Sequence, residues 1–174
     1  MGALDPLTDL LLQHQAEPHI YLLLFFLFCV GNAIILPIPI EIFLVINPDV
    51  PFALKAIVMG LGKGVGAIAV FFIGAKIEQT IMKFAKWGWF KWLLDKSEVF
   101  VRRYGYGAMF VIMAIPGMVD TVPLYIFSIL NKEGKLMTLR GFAIVNVLAG
   151  ITRAVLIYLI ITTLGWDIFN VTSA

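Results

Sequence analysis

Four long apolar blocks dominate this sequence, at about residues 20–47, 53–77, 105–131 and 139–165. About 20 apolar residues suffice to cross the hydrocarbon core of a bilayer as an α-helix, so every block is long enough. Hydrophobic residues make up 61% of the chain and charged residues 14%, whereas about a quarter of a soluble domain is charged. The sequence therefore predicts an all-α integral membrane protein with one membrane domain over residues 1–174.

Two of the blocks are interrupted by prolines and carry a carboxylate. The first contains LPIPIE at 36–41 and the third contains IPGMVDTVP at 115–123. Proline removes a backbone donor and breaks a helix, and a broken helix at membrane depth needs protein or a water-filled cavity to satisfy the freed groups. Each block is therefore either a kinked span or a re-entrant hairpin, with these hairpin residues: Pro37, Pro39, Pro116, Gly117 and Pro123.

The distribution of basic residues favours the hairpins. No Lys or Arg precedes Lys55, ten lie between positions 76 and 140, and none follows Arg153. Short cytoplasmic loops carry the positive charge of membrane proteins. Hairpins in both broken blocks put all ten on one face and both termini on the other, whereas four full spans divide them between the faces. We therefore expect two half-repeats of opposite orientation, at 19–77 and 105–165, an arrangement typical of secondary transporters.

The segments outside the half-repeats suggest contact with the membrane surface. Residues 78–104 interleave tryptophans with lysines and predict a cytoplasmic amphipathic helix drawn to anionic lipid. Residues 1–18 predict a second interfacial helix, and residues 166–174 form a tail. The net charge of +2 does not suggest nucleic acid as a partner. One cysteine and two isolated histidines predict no metal site, and no catalytic cluster or cofactor motif indicates an enzyme.

Four charged residues within the blocks are the predicted substrate- and ion-binding residues: Glu41, Lys63, Asp120 and Arg153. A charge at the bilayer centre costs roughly 2.5–3.5 kcal/mol, so such residues are expected to face a cavity or a partner. We expect the carboxylates to exchange protons or cations while the bases neutralise them or hold an anionic headgroup. Alternatively, Lys63 snorkels to an interface, Glu41 reaches headgroups from a kinked span, or all four form purely structural ion pairs.

The glycine-rich stretch GLGKGVGA at 60–67 predicts close helix packing. It matches neither the dinucleotide fingerprint nor the phosphate loop. In a helix its small residues occupy two faces, which lets neighbouring backbones approach closely in a bilayer. The first face has Gly60, Gly64 and Ala67, and the second has Gly62, Gly66 and Ala69.

Several segments resemble the DedA family of membrane proteins, within the VTT or SNARE-associated-like superfamily. They are LPIPIE at 36–41, FFIGAKI ending at Ile77, YGYGAMFVIMAIPG at 104–117 and GFAIVNVLAGITRAVLIYLI at 141–160. The resemblance covers about residues 20–165 and identifies the chain as a divergent member. It implies an inner-membrane transporter or lipid translocase, with members linked to polyprenyl-phosphate recycling and to proton-dependent tolerance of drugs or alkali. Glu41 corresponds to the family's hairpin glutamate.

The sequence departs from that family at three positions. Met113 and Val119 stand where the family usually has arginines, and Asn32 stands near the place of an additional acid. An anionic group in a dry site needs compensating positive charge. Either Lys63 and Arg153 supply that charge here, or the substrate is not a phosphate.

The expected function is that of a multi-pass cell-membrane transporter or lipid translocase coupled to protons. Its substrate would be a lipid carrier such as a polyprenyl phosphate or a phospholipid, and its partners would be membrane lipids, protons and a second copy of the chain. One alternative is a proton- or cation-coupled exporter of small cations or drugs. Another is a membrane scaffold that transports nothing.

Overall fold

The computed structural model describes residues 17–35, 40–84, 103–131 and 137–163. Every regular element in these ranges is an α-helix, which confirms the predicted all-α class. The helices are α1 (Pro18–Ile34), α2 (Ile42–Val45), α3 (Phe52–Phe84), α4 (103–114), α5 (Thr121–Leu130) and α6 (Leu139–Thr163). Several predicted features lie outside the described residues, namely 1–16 of the N-terminal helix, Pro37, Pro39, 85–102 of the linker and the tail 166–174.

The apolar blocks correspond closely to the helices. The first block contains α1 and α2, and the third contains α4 and α5, with a break in each where the prolines occur. The second and fourth blocks each form one continuous helix. Two segments, Phe52–Gly74 within α3 and Leu139–Thr163, are long and apolar enough by length and composition to cross a bilayer.

The chain turns back on itself in the first block. The Tyr21 hydroxyl, on the second turn of α1, lies within hydrogen-bond distance of the carbonyls of Phe43 and Ile46. The Phe43 ring also packs against Phe25 and Phe28 of α1. Residues 43–46 therefore lie beside the early turns of α1, and the chain reverses direction between Ile35 and Ile42.

Helix α3 packs parallel to α1 through one of its glycine faces. A Cβ on Gly62 would lie 2.5 Å from the Cβ of Cys29, and a Cβ on Gly66 would lie 2.5 Å from that of Ala33. The contact residues advance in the same direction on both helices, which makes the pair parallel. The predicted close approach along this face is confirmed.

The other glycine face of α3, with Gly60 and Gly64, contacts α6. A Cβ on Gly60 would lie 2.6 Å from Cγ1 of Ile151, and Gly64 faces Val147. A Cβ on Gly150 would lie 2.9 Å from the Cα of Gly60, so the two backbones cross with no side chain between them. Because the contacts run in opposite directions along the two helices, α3 and α6 are antiparallel.

The third block also turns back, at Pro116 and Gly117. Gly117 has a φ of 73°, which glycine adopts without the strain that a side chain would cause. Helix α5 then follows α3 in parallel, with its first residues near Lys63 and the Ser128 hydroxyl donating to the carbonyls of Val70 and Phe71. Helix α4 runs parallel to α6, since the start of α4 contacts residues 138–141 and its end contacts Arg153.

Candidate functional site

The four charged residues singled out in the sequence lie together in the structure. Asp120 places Oδ2 2.8 Å from Nζ of Lys63 and Oδ1 2.7 Å from Nη2 of Arg153. Glu41 places Oε1 3.1 Å from Nη1 of Arg153. Arg153 therefore bridges the two carboxylates, and the four residues form one group, which we call the charged cluster.

The ion pairs of the charged cluster join the two halves of the chain. Glu41 and Lys63 belong to the first half, and Asp120 and Arg153 belong to the second. Two ion pairs cross between the halves, Glu41 with Arg153 and Lys63 with Asp120, while Asp120 also pairs with Arg153 within the second half. The sequence suggested one acid and one base in each half, but it could not indicate that the partners would be exchanged.

The charged cluster is buried and deep within the helices. The side chains of Lys63, Asp120 and Arg153 are 1–3% exposed, and that of Glu41 is 13% exposed. Lys63 is the central residue of the 23-residue apolar segment Phe52–Gly74. This position excludes snorkelling of Lys63 to an end of that segment, because its ammonium group is held by Asp120.

Arg153 also satisfies backbone carbonyls that the break in the third block leaves without helical partners. Its Nε donates to the carbonyl of Met113 at 2.9 Å, and its Nη1 donates to that of Met118 at 3.0 Å. The resemblance implied arginines at Met113 and Val119, beside these contacts. The guanidinium of Arg153 thus brings positive charge to the same part of the chain from another helix.

The local structure explains why Asp120 stays close to its partners. Asp120 occupies the N-cap position of α5, but its carboxylate makes no capping hydrogen bond. It accepts a hydrogen bond from the Asn32 amide instead, at 3.2 Å. The helix start, the Asn32 amide and the two cations therefore all place donors or positive charge beside the Asp120 carboxylate.

Sequence reasoning missed the contribution of Asn32 and of the α5 hydroxyls. The Thr121 hydroxyl donates to the carbonyl of Asn32 at 2.8 Å, and that of Tyr125 donates to the carbonyl of Ile34 at 3.2 Å. These carbonyls lie in the last turn of α1, where helical donors run out. The only available signal was the spacing of Thr121, Tyr125 and Ser128 along one face of α5.

The predicted hairpin residues that the structure describes, Pro116, Gly117 and Pro123, lie at and just after the turn of the third block. The backbone N–H of Gly117 points to Oε1 of Glu41 at 3.4 Å, so the turn of the third block contacts the carboxylate of the first block. Pro116 precedes it in the turn, and Pro123 lies in the first turn of α5. Among the described residues, no group of three or more His, Cys, Asp or Glu side chains could hold a metal ion.

No known protein-family model, curated protein or solved structure matches this chain. The proposals below therefore depend on the geometry of the molecule and on the chemistry of its residues.

Proposed function

We propose that this protein is a membrane transporter or lipid translocase of the DedA type, coupled to protons, with the charged cluster as its substrate and proton site. One observation carries the proposal: two acids and two bases meet in the middle of two apolar helices, and two of their ion pairs join the halves. Ionisable residues at membrane depth are expensive and usually mark substrate, ion or proton pathways.

The surface of the molecule supports a location in the membrane. Large apolar side chains are exposed along the outer faces of several helices, whereas soluble proteins rarely expose large contiguous apolar patches. Lipid would cover such faces and remove them from water. Examples at 41–72% exposure are Leu23, Leu27, Ile35, Leu54, Ile57, Leu61, Val65, Phe72, Ile144, Leu148 and Leu159.

The helix directions support two re-entrant hairpins and an inverted repeat. In the first half, the chain turns back between α1 and α2, and α1 is parallel to α3. In the second half, α4 turns back into α5 and runs parallel to α6, while α6 is antiparallel to α3. Two structurally similar halves of opposite direction, with a site where they meet, are the arrangement found in many secondary transporters.

The charge balance of the cluster suggests how protons and substrate are coupled. Two carboxylates and two bases give no net charge, and a buried site without net charge has little affinity for an ion. A proton on one carboxylate leaves one positive charge for an anionic headgroup. Loss of that proton restores the ion pairs and releases the headgroup, so proton movement drives the substrate.

A flux assay in liposomes tests the proposal. The purified chain is reconstituted with a fluorescent lipid and an internal pH dye, and lipid movement and proton movement are followed with and without a pH gradient. We expect both fluxes to exceed those of empty liposomes and to lose their mutual dependence in Glu41→Gln. Asp49→Asn is the matched control, because Asp49 is an exposed carboxylate remote from the cluster contacts.

The flux assay also separates the alternatives. If proton movement requires small cations or a cationic drug and does not require lipid, the protein is an exporter of cations or drugs and lipid is not its substrate. If the wild-type chain moves neither lipid nor protons nor cations, the transport proposal is wrong. The scaffold then remains, and the ion pairs of Lys63 with Asp120 and of Glu41 with Arg153 would serve only to join the halves.

The hairpins have a separate test. The one cysteine, Cys29, is buried, so a Cys29→Ala chain provides a background for single cysteines placed at Gly2 and Thr172. We expect a membrane-impermeant thiol reagent to label both positions from outside the cell. Labelling of both only from the cytoplasmic side would contradict the proposed topology, and labelling from opposite sides would favour one kinked span.

A further inference from the structure

Glu41 occupies a position that is built to hold a negatively charged oxygen. Its Oε1 receives Nη1 of Arg153 at 3.1 Å, and the backbone N–H of Gly117 approaches the same oxygen at 3.4 Å. A positive φ orients the Gly117 peptide at this turn. A guanidinium and a backbone N–H directed at one point are a common way to bind an anion.

Arg153 does not need Glu41 in order to remain paired. Its Nη2 contacts Asp120 at 2.7 Å, its Nε donates to Met113, and Nη1 has a second acceptor in the carbonyl of Met118. The guanidinium would therefore stay in place if Glu41 moved away. If Glu41 leaves, Lys63 and Arg153 both keep Asp120 as a carboxylate partner. If Asp120 leaves, Lys63 loses the carboxylate that it contacts.

The entrance to this position is apolar. Glu41 is the most exposed member of the charged cluster, at 13% of its side chain. Apolar side chains are exposed close to both residues in the chain: Ile42, which follows Glu41, is 52% exposed, and Ile115 and Val119, two positions before and after Gly117, are 46% and 41% exposed. At the depth of Lys63 a surface of this kind faces hydrocarbon, which points to a ligand that approaches through the bilayer.

We propose that the carboxylate of Glu41 is an internal competitor for a singly charged, lipid-soluble anion. The anion enters sideways from the bilayer past Ile42 and Val119, and its charged oxygen replaces Oε1 of Glu41 on Arg153 Nη1 and the Gly117 N–H. Glu41 leaves this position when it takes up a proton. One proton is thus bound for each negative charge that enters, and the cluster keeps the same net charge.

This inference rests on the proposed function only in placing Glu41 within the bilayer, and it assigns the entry route and the competitor at that site. Several ionisable groups face Glu41 from the surrounding helices and act on its protonation. They are Arg153 from α6, Lys63 from α3, Asp120 at the start of α5 and the Cys29 thiol from α1.

Binding of a defined probe tests the competition. The full chain is placed in nanodiscs of zwitterionic lipid, and the probe is a long-chain alkyl sulfonate that carries a dansyl group. A sulfonate stays ionised throughout the pH range, so any pH dependence of binding belongs to the protein. We expect the probe to bind more tightly as pH falls, because protonation of Glu41 vacates the position.

The variant Glu41→Gln gives the sharper result, because removal of a competitor strengthens binding. We expect the affinity of Glu41→Gln at neutral pH to rise by about tenfold, equivalent to about 1.4 kcal/mol, and to lose its pH dependence. Asp49→Asn should bind as the wild type does. Weaker or unchanged binding in a folded Glu41→Gln chain would overturn the proposal, as would wild-type binding that does not respond to pH.

The entry route has its own controls. Inorganic phosphate, which does not partition into lipid, should fail to displace the probe, and a dansyl alcohol of equal chain length should bind no better than to empty nanodiscs. Ile42→Trp should slow probe association several-fold, whereas Leu159→Trp, an equally bulky change on the exposed part of α6, should not. Efficient displacement by phosphate would overturn entry from the bilayer.

The outcomes also distinguish this inference from the proposed function. If the wild-type chain shows no flux but Glu41→Gln binds the probe more tightly and independently of pH, Glu41 is a competitor and the transport proposal is wrong. Flux in a wild-type chain whose probe binding does not depend on Glu41 supports transport and removes the competitor.

Discussion

The two proline-broken blocks hold their carboxylates in different ways. In the third block, Asp120 contacts Lys63, Arg153 and the Asn32 amide and is 1% exposed. In the first, Glu41 reaches the cluster through Arg153 and a long contact from Gly117, and its side chain is 13% exposed. The difference suggests a division of roles, in which Asp120 holds the charged cluster together and Glu41 takes up and releases a proton.

The backbone anchors of the two blocks differ in the same sense. In the third block, hydroxyls along the whole length of α5 donate to carbonyls of α1 and α3. The return of the first block is fixed at its far end, where the Lys55 ammonium donates to the carbonyls of Ile46 and Asn47 at 3.1 and 3.0 Å. Among the described residues, polar contacts therefore hold the backbone of the first block at Phe43, Ile46 and Asn47, whereas the Glu41 side chain is held through Arg153 and Gly117.

The largest predicted effect belongs to Asp120. Asp120→Asn removes the carboxylate from two buried bases, and breaking a buried pair by removal of one partner costs about 3–5 kcal/mol. We expect that loss in the free energy of unfolding, measured in micelles by circular dichroism during a denaturant titration. The double variant Lys63→Met with Asp120→Asn should recover part of it, since Lys63 then leaves no unpaired charge. An Asp120→Asn chain as stable as Glu41→Gln would remove the division of roles.

A smaller effect is expected from the hydrogen bonds that α5 of the third block donates to α1. Thr121→Val keeps the shape of the side chain but deletes the donor to the Asn32 carbonyl in the last turn of α1. A buried polar group without its partner costs about 1–3 kcal/mol. The same unfolding titration measures it, and Val122→Thr is the matched control on the neighbouring residue, which is 61% exposed. Equal effects of the two changes would show that this hydrogen bond does not anchor α5.

The smallest effect on stability is expected from Glu41. In Glu41→Gln the amide oxygen can still accept a hydrogen bond from Arg153, and Asp120 keeps both bases paired. The free energy of unfolding should therefore fall by about 1 kcal/mol or less, although flux and probe binding change. A loss as large as that of Asp120→Asn would mean that Glu41 is a structural residue like its counterpart.

Much of the fold follows from local features of the sequence. Long apolar runs predict helices because lipid-compatible segments must satisfy their own backbone groups, and the prolines mark where α1 and α4 end. The spacing of the glycines predicts two packing faces on α3, and the structure assigns one to α1 and the other to α6. Each of these features depends on residues within one continuous stretch of the chain.

The pairing within the site could not be predicted in this way. Asn32 and Asp120 are separated by 88 positions, and Glu41 and Arg153 by 112. The cost of a buried charge indicates that a partner exists, but it does not identify that partner. Lys55 is a similar case: a lysine at the start of an apolar block suggests an interface, whereas the structure buries it against the carbonyls that follow α2.

The exchange of ion-pair partners between the halves has a consequence for the synthesis of the chain. When only the first half has left the ribosome, neither Glu41 nor Lys63 can reach the partner that it has in the finished molecule. Residues 1–84 expressed alone would carry both charges without those partners, whereas the second half would keep the Asp120–Arg153 pair and lack the contacts to Lys63 and Glu41. Coexpression of the two halves should rescue each from proteolysis, since the completed cluster exists only after both are present.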